Sequence, residues 1–250
     1  MLHAHGRLFS IALYLGLLGA SASSAHAQIF QVTSGDPGGG YDPQAVTYAA
    51  LNLGGSGTLT LQGVTFTNSN PNVAITTTPY YFDTGPTDLF LPTTTPNDAS
   101  LTTLASMAFF GAPYSYTGAS LVLTISGLTV GTTYQLDTFS GLQDNYGARD
   151  LSIVAAGATT ETLASSGGLI GNANFYDLKQ SLQPDSSGVI TVTYSDGPIP
   201  NMSFALSGLS ITSPASAPEP STWALLGVGL ALLGFAARRR KSPLLSRSSS

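Results

Sequence analysis

Short runs in which every second residue is apolar recur along the chain between residues 28 and 213. Residues 120–126 are a clear example, because Leu121, Leu123 and Ile125 fall on one face of an extended segment. Clusters of Gly, Pro, Asn and Asp separate these runs, and no stretch of helical length has a 3.6-residue apolar period. The pattern predicts β-strands throughout this region.

Further runs of the same kind predict the positions of other strands. They lie at residues 58–67, 132–140, 149–155, 189–194 and 202–211. Within the first run the apolar phase changes at Gln62 and Gly63, which predicts a tight turn or a bulge. A second turn is predicted at residues 127–131. About eight or more short strands at this spacing favour an all-β chain with a single β-sandwich or jelly-roll domain.

Residues 71–97 differ from the rest of this region because they contain five prolines and many threonines. Proline has no amide hydrogen to donate within a central strand of a sheet. The segment therefore predicts a long surface loop or edge strands.

The first 27 residues predict a secretory signal peptide. Arg7 precedes an apolar run at residues 8–20, and small residues then lead to an Ala-His-Ala sequence formed around Ala25 and Ala27. The alternative, a first transmembrane helix, is disfavoured because the apolar run is too short to span a bilayer. Cleavage after Ala27 makes Gln28 the first residue of the mature chain.

Three features follow one another at the C-terminus. They are the triplet Pro218, Glu219 and Pro220, an apolar segment at residues 223–237, and the basic cluster Arg238, Arg239, Arg240 and Lys241. The apolar segment predicts a transmembrane helix of about 22 Å, which is short for a hydrocarbon core of about 30 Å. The basic cluster is expected to hold the C-terminal side in the cytoplasm. Residues 214–217 predict a linker, and residues 242–250 predict a disordered tail.

This order of triplet, apolar helix and basic cluster resembles the PEP-CTERM sorting signal of Gram-negative bacteria. The resemblance covers residues 218–241 and implies that an exosortase in the inner membrane recognises and removes the tail. It implies a transient inner-membrane intermediate and then export to the outer surface or extracellular matrix, commonly in species that make extracellular polysaccharide. The alternative is a plain membrane anchor on a proline-rich stalk.

Charge narrows the partners of the region between the two targeting segments. Residues 28–217 contain only two cations, Arg149 and Lys179, against twelve acidic residues, which gives a net formal charge of −10. Such a surface repels nucleic acid and anionic lipid. It is compatible with neutral glycans, divalent cations or cationic partners.

The absence of two residue types excludes several kinds of chemistry. The chain has no cysteine, so disulfides, thiolate metal sites and a thiol nucleophile are excluded. His3, His5 and His26 all lie in the predicted signal peptide. The mature chain therefore has no imidazole for a catalytic triad, a general base or a zinc site. Carboxylate catalysis, as in glycosidases, remains open.

Two polar segments are candidate sites. The first is a mixed cluster between predicted strands, formed by Asp144, Asn145, Tyr146, Arg149 and Asp150. Its tyrosine is suited to stacking on a sugar, and its carboxylates to sugar hydroxyls or Ca²⁺. The second is residues 36–42, with two carboxylates around a glycine run. A hydrophilic loop with an Arg–Asp surface pair is the simpler interpretation of the first segment, and a plain N-terminal loop that of the second. Residues 172–176 predict a third polar and aromatic loop.

The middle of the chain carries a second resemblance. The Gly-Leu-Thr-Val-Gly turn at residues 127–131, the loop at 144–149, the strand at 151–155 and the closing strand at 204–211 follow one another in order. This order resembles the galactose-binding-like jelly rolls that often precede a PEP-CTERM signal. The resemblance implies a β-sandwich, and it implies glycan binding only by analogy.

Three functional hypotheses follow. The preferred one is an exported, exosortase-processed, non-enzymatic surface or matrix protein whose domain, residues 28–213, binds extracellular polysaccharide or structures a biofilm. The second is a carboxylate-dependent glycan hydrolase or lyase, for which two carboxylates about 5 Å or about 6.5–9.5 Å apart are required in one pocket. The third is an adhesive or spacer protein without a ligand. No metal or cofactor is assigned, although Ca²⁺ is compatible with the acidic loops.

Overall fold

The computed structural model describes residues 27–78, 82–89, 91, 93–111, 120–143, 150–164, 173–196 and 204–214. This part of the chain forms mainly β-strands and one short helix. In chain order they are β1 (Gln28–Gln31), β2 (Val46–Asn52), β3 (Leu59–Leu61), β4 (Val64–Phe66), β5 (Val73–Thr78), β6 (Phe82–Pro86), α1 (Pro96–Ala105), β7 (Met107–Gly111), β8 (Ser120–Ile125), β9 (Tyr134–Gly141), β10 (Leu151–Ala156), β11 (Thr160–Ala164), β12 (Phe175–Leu182), β13 (Ile190–Asp196), β14 (Ala205–Leu206) and β15 (Gly208–Ser213).

Two five-stranded sheets pack face to face as a β-sandwich. The first sheet has the order β1-β12-β9-β15-β2, the second has the order β11-β10-β13-β8-β5, and neighbouring strands are antiparallel. Leu136 and Leu178 of the first sheet and Leu123 and Val192 of the second contribute to one buried core between the sheets. The prediction of an all-β sandwich is confirmed.

A third layer covers the other face of the first sheet. The hairpin β3-β4, helix α1 and residues 32–41 pack on this face and form a second buried cluster. In that cluster Phe139 and Phe175 of the sheet stack at 6.0 Å between ring centroids, and Tyr41 meets Phe139 edge-on at 5.0 Å. Both faces of the first sheet are therefore buried over much of their area.

Helix α1 contradicts the expectation of β structure throughout. It starts with a capping box. The Thr95 side chain accepts a hydrogen bond from the Asp98 amide, and the Asp98 carboxylate accepts one from the Thr95 amide. Pro96 is the first residue of the helix. Only a narrow stripe of the helix, which includes Leu101 and Leu104, is buried. The helix has ten residues and is rich in Ser and Thr, so its apolar period is weak and its signal lies in the cap.

The turn predicted at Gln62 and Gly63 is confirmed as a two-residue hairpin turn. Leu61 pairs with Val64, and Gln62 and Gly63 have φ values of 49° and 79°, as this kind of turn requires. The edge-strand prediction for residues 71–97 holds for β5, at the edge of the second sheet, and for β6, at the edge of a small sheet of order β14-β7-β6. The same range also contains the buried residues Thr87 and Leu89, so it is not wholly a surface loop.

Candidate functional site

One end of the sandwich collects strand termini of the second sheet. Thr78 at the end of β5 pairs with Ser120 at the start of β8, and Ser120 also pairs with Ser195 near the end of β13. At the same end, the start of β10 pairs with the end of β13, and its second residue pairs with the last residue of β11. Each of the five strands of this sheet therefore has one terminus at this end, and each of these termini is followed or preceded by a connecting segment.

The first sheet has the same polarity. Gly141 at the end of β9 pairs with Phe175 at the start of β12, and Gly208 at the start of β15 pairs with Phe139. We call this end the loop end. At the opposite end, which we call the turn end, short turns join β8 to β9, β10 to β11 and β12 to β13.

The predicted polar cluster belongs to the connection that leaves the loop end between β9 and β10. Four of its members lie outside the described residues: Asp144, Asn145, Tyr146 and Arg149. The fifth, Asp150, immediately precedes β10 and is only 2% exposed. The structure thus places Asp150 inside the fold at the loop end.

The carboxylates of the acidic loop at residues 36–42 accept hydrogen bonds from within the protein. Asp36 accepts hydrogen bonds from Thr95 Oγ1 at 3.2 Å and Asn97 Nδ2 at 3.0 Å, and Asp42 accepts one from the Gly38 amide at 2.9 Å. The loop is thereby fixed to the start of α1. Within the described residues, no group of three or more His, Cys, Asp or Glu could hold a metal ion.

The third predicted loop is partly wrong. Tyr176 lies within β12 and is 7% exposed, so it belongs to the sandwich core and not to a polar loop. Asn174 precedes that strand and accepts a hydrogen bond from Gln31 Nε2 at 2.8 Å. Asn172 lies outside the described residues.

A charged cluster that the sequence did not reveal lies on the covered face of the first sheet. Asp137 of β9 and Lys179 of β12 are direct cross-strand partners, and Asp177 is two residues before Lys179 on the same face. Lys179 Nζ lies 3.4 Å from Asp137 Oδ1 and 3.1 Å from Asp177 Oδ2. Both carboxyl groups are fully buried, whereas the lysine side chain keeps 16% of its surface exposed.

Polar and aromatic neighbours surround this cluster. Gln135 Nε2 donates to both oxygens of Asp137, at 2.7 and 2.9 Å, and Ser210 Oγ donates to Oδ2 at 3.2 Å. Lys179 Nζ lies 5.5 Å from the centre of the Phe30 ring and 5.8 Å from that of Tyr41. The cation is therefore held by two carboxyl groups and covered by two rings.

Burial and mutual charge shift the protonation of the cluster. Burial raises the pKa of Asp137, although the Lys179 charge opposes this. Burial and the negative charge of Asp137 together raise the pKa of Asp177 well above its ordinary value. Burial alone would lower the pKa of Lys179, but the charges of Asp177 and Asp137 outweigh it and raise that pKa. These shifts favour the ammonium form of Lys179 and the protonated form of Asp177.

The sequence signal for this cluster is weak. Asp177 and Lys179 alternate with apolar residues, as they would in a strand with one face in solvent, so the pattern of β12 predicts no buried polar face. Their partner Asp137 lies about forty residues earlier, so the contact depends on the β9–β12 register.

Solved structures with a similar fold include carbohydrate-binding modules. TmCBM61 in complex with β-1,4-galactotriose has a TM-score of 0.36 and 10% identity, over 57% of this chain and 89% of that module. The CBM22-1 xylan-binding domain from Paenibacillus barcinonensis Xyn10C has a TM-score of 0.42 and 5% identity, over 71% of this chain and 100% of that domain. The ANXUR1 extracellular domain from Arabidopsis thaliana has a TM-score of 0.46 and 15% identity, over 69% of this chain and 51% of that chain. The likeness concerns the β-sandwich fold alone.

Sequence comparison adds one finding, at the C-terminus. No curated protein matches the chain. The described residues include no helix that is long and apolar enough to cross a membrane, and residues 223–237 lie outside them. Residues 216–241 match the PEP-CTERM protein-sorting motif. The chain therefore carries the C-terminal signal of an exported protein that is sorted through the membrane.

Proposed function

We propose that an exosortase removes the C-terminal tail of this protein and that the exported β-sandwich binds extracellular polysaccharide at its loop end. The observation that carries the proposal is the gathering of strand termini at that end. Binding residues are often placed on connections that a rigid scaffold brings together.

The distribution of tyrosines supports this location. Of the eleven tyrosines in the chain, five lie in sequence segments that connect strands at the loop end: Tyr80, Tyr81, Tyr114, Tyr116 and Tyr146. Four others are buried in the two cores: Tyr41, Tyr134, Tyr176 and Tyr194. The core therefore uses one set of rings, and the connections hold another set, suited to stacking on sugar rings.

Charge favours a neutral glycan over an anionic one. Lys179 is the only basic residue in the described part of the chain, and it is paired internally with Asp137 and Asp177. Residues 28–217 have a formal charge of −10, and the Lys179 charge is already balanced by internal ion pairs. The electrostatic field of the domain therefore repels a polyanion.

The course of the chain also suits this role. Ser213, the last residue of β15, pairs with Val46, and Thr212 pairs with Gln135 beside the start of β9. The chain thus leaves the sandwich at the turn end, three residues before the sorting motif begins at residue 216. A protein held by this motif would direct its loop end away from the membrane.

Glycan hydrolysis is the less favoured alternative. Asp137 and Asp177 form a pair of neighbouring carboxyl groups, but both are fully buried beneath the third layer and paired with Lys179. A polysaccharide cannot reach them, so this pair does not meet the requirement for two carboxylates in an open pocket.

The test is co-sedimentation of the purified exported protein with the exopolysaccharide of the producing organism, with and without Ca²⁺. We expect binding that Tyr146→Ala weakens by about fivefold, because an aromatic contact of about 1 kcal/mol is lost. Asp144→Asn is expected to weaken it further if its carboxylate meets sugar hydroxyls or Ca²⁺.

Asp185→Asn is the matched control. Asp185 lies at the turn end, where its carboxylate accepts the Ser187 and Val189 amides at 2.8 and 3.0 Å, and Asn is well tolerated in such a turn. Its binding should equal that of the unmodified protein. No binding with or without Ca²⁺ would refute the proposal in favour of a spacer protein. Equal losses in the loop-end variants and the control would refute a loop-end site.

A further inference from the structure

The Lys179 cluster brings an amine and a carboxyl group together under conditions that favour condensation. Lys179 Nζ and Asp137 Oδ1 are 3.4 Å apart across neighbouring strands, and Asp177 Oδ2 is 3.1 Å from the same nitrogen. From this geometry we propose that Lys179 and Asp137 join in an intramolecular amide bond, with Asp177 as the proton relay.

Proximity supplies the first requirement. The two reacting side chains stand opposite each other on β9 and β12, and the sheet is packed on both faces. Holding reactants near 3–3.5 Å replaces a bimolecular encounter, and well-oriented groups reach effective concentrations of about 10⁵ M or more. The unfolded chain has no such advantage, so the bond would form only after folding.

Hydrogen-bond donors at Asp137 supply the second requirement. Attack at its Cγ places negative charge on a carboxyl oxygen, and Gln135 Nε2 and Ser210 Oγ already point at these oxygens. Donors fixed in place before the reaction stabilise such a charge strongly where water is excluded. Asp137 is fully buried, so this condition is met.

Asp177 supplies the third requirement. It is fully buried, and neither of its oxygens accepts a hydrogen bond from a described group outside the Lys179 ion-pair cluster. Burial and the Asp137 charge raise its pKa well above the ordinary range, which favours its protonated form. A buried acid in contact with the amine is suited to move protons between nitrogen and oxygen.

The reaction balances without any other reagent. One proton passes from the Lys179 ammonium to the Asp137 carboxylate, and the neutral Nζ then attacks Cγ to form a tetrahedral intermediate. Asp177 gives its proton to the departing hydroxyl group and recovers one from Nζ. The C–O bond breaks, water leaves, and the products are one amide bond, one water molecule and an unchanged Asp177.

The bond would have a clear consequence for this protein. The chain has no cysteine and so no disulfide. An amide between β9 and β12 would cross-link two strands of the first sheet by a bond that denaturants and reductants do not break. Lys179 retains 16% exposure beside Phe30, which offers a path for the departing water.

The test is peptide mapping of the exported protein after denaturation and chymotryptic digestion. We expect a branched species that joins the peptide containing Asp137 to the peptide containing Lys179, with a mass one water molecule below their sum. Amine-specific labelling of the unfolded protein should leave Lys179 unmodified. Two linear peptides and a fully labelled Lys179 in the unmodified protein would overturn the proposal.

Three variants separate the roles. Lys179→Arg keeps the charge but removes the amine, so it should give only linear peptides. Asp177→Asn should lose the branched species and leave Lys179 open to labelling, while circular dichroism verifies that it is folded. Asp185→Asn, the same chemical change at the turn end, should retain the branched species in full. An undiminished branched species in folded Asp177→Asn would refute the relay.

Discussion

At the scale of single residues, Asp98 joins two parts of the third layer, the loop at Ser34 and Gly35 and the start of α1. Its carboxylate accepts hydrogen bonds from Thr94 Oγ1 at 2.6 Å, Ser34 Oγ at 2.7 Å and the Gly35 amide at 2.8 Å. The bonds from Thr94, then Ser34 and Gly35, hold the pKa of Asp98 well below its ordinary value. One carboxylate thus connects the glycine-rich loop to the helix that covers the first sheet.

This assignment predicts a pH-dependent stability difference between the unmodified protein and Asp98→Asn. A carboxyl group whose pKa is depressed in the folded state stabilises the protein above its unfolded pKa of about 4, and this contribution is lost as pH falls through the folded value. The unmodified protein should therefore be more stable near pH 7, and the difference should narrow below about pH 4.

Urea unfolding of both proteins from pH 7 to pH 2.5 measures this difference. Asp185→Asn removes one negative charge from a turn outside the Asp98 network and corrects for net charge. A constant difference between the unmodified protein and Asp98→Asn over the whole range would contradict the role of the ionised carboxylate.

Individual residues also show where sequence reasoning stops. The capping box of Thr95 and Asp98 is a local pattern, so the start of α1 could have been recognised from residues three apart. Lys179 and Asp137 meet only through strand register, and the burial of their face depends on a third layer assembled from distant segments. No local pattern encodes those two facts.

At the scale of elements, the turns at the turn end depend on glycine for different reasons. Gly188 has φ of 74°, and a Cβ there would lie 2.5 Å from the Leu128 carbonyl oxygen, because Leu128 donates its amide to the Gly188 carbonyl at 3.0 Å. Gly131 has φ of 81°, but a Cβ there would meet nothing within 4 Å. A side chain at Gly131 would therefore cause backbone strain alone, whereas one at Gly188 would cause backbone strain and a steric clash with Leu128.

Alanine at each position should destabilise the protein by different amounts. Gly131→Ala carries only the penalty of a positive φ, about 1–2 kcal/mol. Gly188→Ala carries the same penalty and must also push the β8–β9 turn away from the β12–β13 turn, which adds about 1 kcal/mol or more. Chemical denaturation of the two variants measures the difference, and equal losses would show that the turns can separate freely.

Whether a strand could be predicted from the sequence depends on which of its two faces are buried. Strands with one buried and one polar face, such as β8 and β10, show the alternating pattern and were predicted within a few residues. In β12, every residue from Phe175 to Leu178 is buried, so burial there does not follow the alternation of polar and apolar residues. Strand β1 is exposed at all four residues, so its sequence carries no burial pattern either.

At the scale of the whole molecule, the described fold ends close to both predicted processing points. Strand β1 begins at Gln28, directly after the predicted signal cleavage, and β15 ends at Ser213, before the sorting motif at residues 216–241. Removal of both targeting segments would therefore leave every described strand intact. Export and processing are compatible with a sandwich that folds once and remains unchanged.

Processing at both ends determines the mass of the chain that is recovered outside the cell. Intact mass and terminal sequencing should give Gln28 as the first residue and a C-terminus before Trp223. Glu219→Gln should impair removal of the tail, whereas Glu161→Gln, which changes the only other glutamate of the chain, should be processed normally. Exported protein that retains residues 223–241 would contradict processing by an exosortase. The same spectrum tests the cross-link, because the amide bond lowers the mass by one further water molecule whatever the termini are.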